Sequence, residues 1–184
     1  MENKTWLSIL ANVVAGIFSK GADPTVGVTI PLDSPAADPT SQIDWTDSMC
    51  QITPRFTVGD ACTLHAWNRL ATEDDGLTTQ VKANLVALCQ KMEEITDFLG
   101  CSMNIHCMFR SQAYNQQVVK TIPADVHSFG MAIDFDCNDT ISIDELHAKL
   151  EPVLEQYNIR MERNTATWCH LDTHPVVNAR YFLA

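Results

Sequence analysis

Apolar positions recur along this chain with two periods, and each predicts a different element. From Thr78 to Gly100 the residues Val81, Leu85, Leu88, Met92, Ile95 and Leu99 step by three and four. They form one stripe of an α-helix that opens at Thr78 or Thr79 and stops at Gly100. Thr57 with Asp60 three residues on is a capping pattern for a helix over 58–70, and Ser142 with Glu145 repeats it for a helix to about Gln156. A shorter helix is predicted around Ala113 to Lys120. Alternation replaces the helical period in 101–109 and 130–137, which read as strands. Ile159 to Asp172 reads as two antiparallel strands joined near Asn164. Helices and strands do not alternate regularly, so the pattern predicts an α+β fold with a small antiparallel sheet and flanking helices.

The first half-hundred residues have another character. Trp6, Ile9, Leu10, Val13, Ile17 and Phe18 repeat at helical spacing, so 1–20 is predicted as a helix. Its apolar run is shorter than the roughly 20 residues that a membrane span needs. The start, Met1-Glu2-Asn3-Lys4, lacks the positive excess of a signal peptide. Such a helix needs a packing partner: its own domain, another subunit or assembly, or a membrane interface, with packing on protein favoured. Residues 21–51 carry prolines 24, 31, 36 and 39 among Gly, Ala, Ser, Thr and Asp, and are predicted to be an extended linker or arm. The domain itself is expected to occupy 52–184.

Composition narrows the function. The 184 residues are 46% hydrophobic and 19% charged, enough apolar mass for one real core. Asp plus Glu number 23 against 12 Lys plus Arg, a net charge of −11. That balance argues against nucleic acid as a partner, because duplex affinity comes largely from neutralising phosphates. It also disfavours anionic lipid surfaces. Seven cysteines, an odd number with no C-x-x-C pair, predict buried reduced thiols rather than a disulfide framework. A pair such as Cys101 and Cys107 stays open.

Two segments carry chemistry. In the first, His127 and Asp134 stand seven apart, with Gly130 permitting the tight turn into a strand. On that strand Ala132, Asp134 and Asp136 share one face, and Ile133 and Phe135 the other. A carboxylate between Ile and Phe is costly to bury unpaired, and either a metal ion or a buried hydrogen-bond network meets that cost. In the second, Trp168, His170 and Asp172 share a strand face, while Cys169 points away. Two histidines and a carboxylate make a three-ligand set of the kind catalytic zinc uses, with a fourth position for water.

The run HSFGMAID fits the pattern H-x-x-G-x-A-x-D, and WCHLD fits W-x-H-x-D. In this order they resemble the zinc-dependent M15 peptidases: D-alanyl-D-alanine carboxypeptidases and related peptidoglycan endopeptidases, including phage endolysins. ITPRFTVGDAC resembles the opening of that family's domain, and MFRSQAYN resembles a further element with Arg110, Ser111 and Asn115 at matching positions. The resemblance covers roughly 52–176. It implies a zinc ion held by His127, Asp134 and His170, and Arg110 holding a substrate carboxylate or carbonyl oxygen.

Two positions depart from the family. Asp125 stands where many relatives have serine, and Thr167 where many have the Glu or Asp that serves as general base. Asp172 is then the candidate base, or alternatively the group that orients His170. Glu162 is a further candidate, and His174 a rim residue that steadies an oxyanion or an ordinary loop histidine. Of the others, His106 is expected in the core, His147 on a solvated helix face and His65 in a helix.

The resemblance implies a zinc peptidase that cuts peptidoglycan stem peptides, as a D-Ala-D-Ala carboxypeptidase or an L-Ala-D-Glu type endopeptidase. A phage lysin or virion-associated hydrolase, made in the cytoplasm and acting on the bacterial cell wall, is the expected setting. The alternative is a non-catalytic zinc-binding structural or adaptor module on the same scaffold, which the signalling domain of hedgehog proteins resembles. Thr167 keeps that alternative open.

Overall fold

The computed structural model describes residues 39–183 apart from Pro123, Asn138 and Asp139. The predicted helix over 1–20 and the arm as far as residue 38 lie outside the described residues.

Chain order sets up a helical half followed by a sheet. Helix α1 (Val58–Cys62) starts at Thr57, whose hydroxyl accepts from the Asp60 amide while the Asp60 carboxylate accepts from the Thr57 amide. The helix was expected to run to residue 70. It stops at Cys62 because β1 (Thr63–Leu64) turns away to pair antiparallel with β2 (Arg69–Leu70), around a left-handed Asn68. Helix α2 (Thr79–Leu99) follows, capped by the Thr78 hydroxyl and ended by left-handed Gly100.

After β3 (Asn104–Cys107) comes a short helix, α3 (Gln112–Tyr114), which widens into a π-turn over 115–119. A 3-10 turn (Val126–Phe129) leads into β4 (Ala132–Asp136). Helix α4 (Ile143–Leu150) has the Ser142/Glu145 capping box but gives way to a 3-10 turn and bends, short of Gln156. Strands β5 (Arg160–Glu162), β6 (Cys169–Asp172) and β7 (Tyr181–Phe182) complete the chain.

The fold is α+β, as the pattern predicts. The five strands of the larger sheet lie in the order β3-β4-β6-β5-β7. Neighbours are antiparallel except β5 and β7, which run parallel, so the sheet is mixed rather than purely antiparallel. Strand parity gives it two unlike faces. Ile133, Phe135, Met161, Cys169 and Leu171 are buried in the core with Leu85, Leu88, Met92 and Ile95 of α2. Asp134, Arg160, His170 and Asp172 occupy the opposite face.

Residues 40–51, read from composition as the end of the arm, pack on this domain. Ile43, Trp45 and Cys50 lie against the core. Val58 and Gly59 donate backbone hydrogen bonds to Cys50 and Ser48 at 2.9 Å. The compact unit accordingly begins before residue 52. A few apolar anchors, spaced among polar residues, are enough to dock a segment whose average composition is that of a linker.

Cysteine chemistry also differs from the expectation of reduced thiols throughout: Cys101, just after α2, is disulfide-bonded to Cys137, just after β4. Cys50, Cys62, Cys89, Cys107 and Cys169 are free.

Candidate metal centre

Antiparallel pairing of β4 with β6 sets Asp134 opposite His170 and Ala132 opposite Asp172. The third residue, His127, arrives from the turn before β4. Asp125 caps that turn by accepting from the Ser128 amide at 3.1 Å, and Gly130 closes it in the left-handed conformation. A Cβ on Gly130 would lie 2.8 Å from the Val81 carbonyl oxygen, so the turn can sit against α2 only with glycine there.

These elements bring one atom each of His127, Asp134 and His170 within 4.8 Å of one another, a group that can hold a metal ion. His127 Nδ1 lies 2.8 Å from the Met108 carbonyl oxygen, an acceptor only, so Nδ1 carries the proton. The lone pair of Nε2 then points into the site. Among the described residues that buried nitrogen has no hydrogen-bond partner, and Asp134 Oδ2 lies 3.4 Å away. A buried lone pair facing a carboxylate oxygen is an unfavourable arrangement that a cation between them satisfies.

His170 presents Nδ1 to Asp134 Oδ1 at 2.7 Å and Nε2 to Asp172 Oδ2 at 3.6 Å. Burial opposes charging this ring, but its hydrogen bond to Asp134 and the nearby Asp172 carboxylate prevail and lift it to about 9. For Asp134, burial alone would favour the neutral acid; the adjacent rings of His127 and His170 override it and hold the carboxyl far below the usual carboxylate range. A carboxyl this firmly ionised beside two histidines is a donor set suited to a borderline-soft divalent ion.

The trio lines a cleft of about 620 Å³, whose walls include Arg110, Asp125, Arg160, Glu162, Trp168, His174 and Phe182. Arg110 Nη2 pairs with Asp125 Oδ2 at 3.0 Å, and its buried Nε has no hydrogen-bond partner among the described residues. Asp125, the residue in the serine position, thus both caps the His127 turn and fixes Arg110. Asp172 accepts from Arg160 Nε and Nη2 at 2.7 and 2.8 Å, and from the His174 amide at 2.9 Å. Burial alone would raise the Asp172 carboxyl, but His170 and Arg160 together lower it.

Among the sequence-derived candidates, His127, Asp134, His170, Arg110, Asp172, Glu162 and His174 all reach this cleft. Thr167 does not; it is exposed and borders a separate hollow beside Ser142 and Asp136. Two histidines differ from expectation. His106 is exposed on β3 and pairs with Asp136 at 2.6 Å, because its side of this edge strand faces away from the core. His147 is buried rather than solvated, with Nε2 3.1 Å from the Thr165 hydroxyl. Arg160 escaped the sequence reading altogether. Its only signal is a register: it lies opposite Asp172 on the adjoining strand.

No protein-family model, curated protein or solved structure matches this chain.

Proposed function

We propose that this chain is a zinc-dependent peptidase acting on the stem peptides of peptidoglycan, in the manner of a phage lysin or virion-associated wall hydrolase. The observation that carries the reading is the orphaned Nε2 of His127, converging with Asp134 and His170 beside Arg110 in an open cleft. His127 through Nε2, Asp134 through its carboxylate and His170 through Nδ1 would hold the ion. When bound, zinc supplies Lewis acidity toward a scissile carbonyl.

The protein's own groups do the rest. Met108 fixes the tautomer of His127 through its carbonyl oxygen. Asp172, clamped by Arg160, orients His170 and favours its Nδ1 as the ligating atom. Arg110 offers a guanidinium at the cleft wall to a peptide carboxylate, the group that a stem peptide ending in D-alanine carries. Val119, Ile122, Phe129 and Trp168 give the cleft apolar walls against which a peptide can pack.

The test is turbidity of purified sacculi treated with the full chain, with and without a chelator, followed by mass spectrometry of the released muropeptides. Chelator-sensitive clearing with new peptide termini is expected, and the masses identify the bond cut. A second reading, a zinc-bound adaptor without activity, rests on Thr167 lying outside the cleft where the family's base would sit. Intact sacculi in the presence of stoichiometric zinc would favour it.

A further inference from the structure

The cleft contains four carboxylates, and three are already committed. Asp134 belongs to the metal-binding trio. Asp125 caps the 126–129 turn with Oδ1 and pairs with Arg110 through Oδ2. Asp172 gives both oxygens to Arg160. Glu162 is the fourth. It lines the same cleft, is half-buried, and among the described residues its side chain has no hydrogen bond or ion pair.

Register explains how it gets there. Strand β5 pairs with β6 so that Arg160 is opposite Asp172 and Met161 opposite Leu171. One step further along β5 is Glu162, which pairs with Phe182 of β7, and two residues on from Arg160 it shares that residue's face of the sheet. Asp134, His170 and Glu162 therefore come from three adjacent strands, β4, β6 and β5, and line one cleft. With strands about 4.8 Å apart, the β5 backbone that carries Glu162 runs about 10 Å from β4, with β6 between them. Glu162 lines the cleft with the trio but is not one of the three, so its carboxylate can approach a water beside the trio without joining it.

We propose that Glu162 is the general base of this site, replacing the acid that the family places where Thr167 stands here. The assignment rests on the peptidase reading. In the step it performs, a water oxygen bonds to the scissile carbonyl carbon as Glu162 takes one of the water protons. The proton then passes from Glu162 to the amide nitrogen as the carbon–nitrogen bond breaks, releasing an amine and a carboxylic acid. Glu162 ends as it began, and one water is consumed.

The experiment compares the full-length protein with Glu162→Gln and Glu162→Asp. Zinc content is measured by elemental analysis, binding by co-sedimentation with sacculi, and turnover by muropeptide mass spectrometry. Glu162→Gln should keep one zinc per chain and wild-type co-sedimentation while turnover falls by roughly 100-fold or more, the usual weight of a general base. Glu162→Asp should retain more turnover than Glu162→Gln. Turnover of Glu162→Gln within about threefold of wild type overturns the assignment. So does loss of zinc from that variant, which would make Glu162 a ligand or a structural group. Wild-type protein that holds zinc but releases no peptide overturns the peptidase reading, and the base role with it.

Discussion

Arg160 grips Asp172 with two parallel hydrogen bonds, Nε to Oδ1 at 2.7 Å and Nη2 to Oδ2 at 2.8 Å, and the carboxylate so held faces His170 Nε2. Both oxygens are occupied, which suits an orienting anion better than a group that must accept and release protons. Asp172→Asn should therefore weaken zinc binding by about 10- to 100-fold, with turnover falling in proportion. Because Asp172 is fully buried, the variant also leaves Arg160 without its charged partner. Such a break costs on the order of 3–5 kcal/mol, and chemical denaturation should register it. Zinc retained in full with turnover abolished would instead make Asp172 the base.

Removing residues before Ile52 should destabilise the domain. Such a chain lacks Ile43, Trp45 and Cys50, which pack on the core, and the carbonyls of Ser48 and Cys50 that receive the first amides of α1. Full burial of one large apolar side chain is worth about 1.5–3 kcal/mol, so loss of these half-buried anchors should cost several kcal/mol together. A chain starting at Pro39 keeps every one of these contacts and should melt well above one starting at Ile52. Equal melting temperatures would show that the segment adds nothing.

What could be read in advance follows from how local each cause is. Helix α2 was legible because its stripe, its Thr78 cap and its Gly100 stop all lie within one segment. The grouping of His127, Asp134 and His170, which can hold a metal ion, was legible because strand parity places Asp134 and His170 on defined faces, although only the pairing of β4 with β6 shows that the two faces coincide. Helix α1 ended early because β1 pairs with β2, a cause outside the helix. His106 and His147 exchanged environments for the same reason: β3 lies at the sheet edge, and α4 turns His147 toward Thr165. A lone arginine such as Arg160 carries no pattern, and the partner that gives it a role is on another strand. Likewise nothing in the spacing of seven cysteines singles out Cys101 and Cys137.

His147 should impose an acid sensitivity on stability. Burial lowers its folded-state value below the ordinary 6.5, and the nearby Asp144 and Glu151 only partly oppose this. Its Nε2 lies 3.1 Å from the Thr165 hydroxyl, and Tyr181 packs against the ring. The folded protein thus binds this proton less readily than the unfolded chain. The resulting stability is fully present above about pH 6.5 and is lost as pH falls through the lowered folded value. His147→Gln keeps a hydrogen-bonding side chain and removes the titration. Urea unfolding at pH 7.5 and pH 5 should show wild type losing more stability than the variant over that interval. Parallel losses would mean that the histidine does not contribute.

Gly130 offers a test of how tightly the turn that carries His127 is braced on α2. Its φ is +66°, a region where a non-glycine residue costs about 1–2 kcal/mol. In addition, a Cβ there would come within 2.8 Å of the Val81 carbonyl oxygen and 3.0 Å of Leu85 Cγ. The Val81 oxygen belongs to helix backbone and cannot move aside without disturbing α2. Gly100 has nearly the same φ, +68°, but nothing lies within 4 Å of its would-be Cβ. Gly100→Ala should therefore lose only the conformational term, whereas Gly130→Ala loses that term and the packing against α2. At about 2–4 °C per kcal/mol for a protein of this length, Gly130→Ala should melt several degrees below Gly100→Ala. Gly130 lies between His127 and Asp134, so its substitution should also lower zinc affinity, and Gly100→Ala should leave that affinity unchanged. Equal melting points and equal zinc affinities for the two variants would show that the turn is not held by α2.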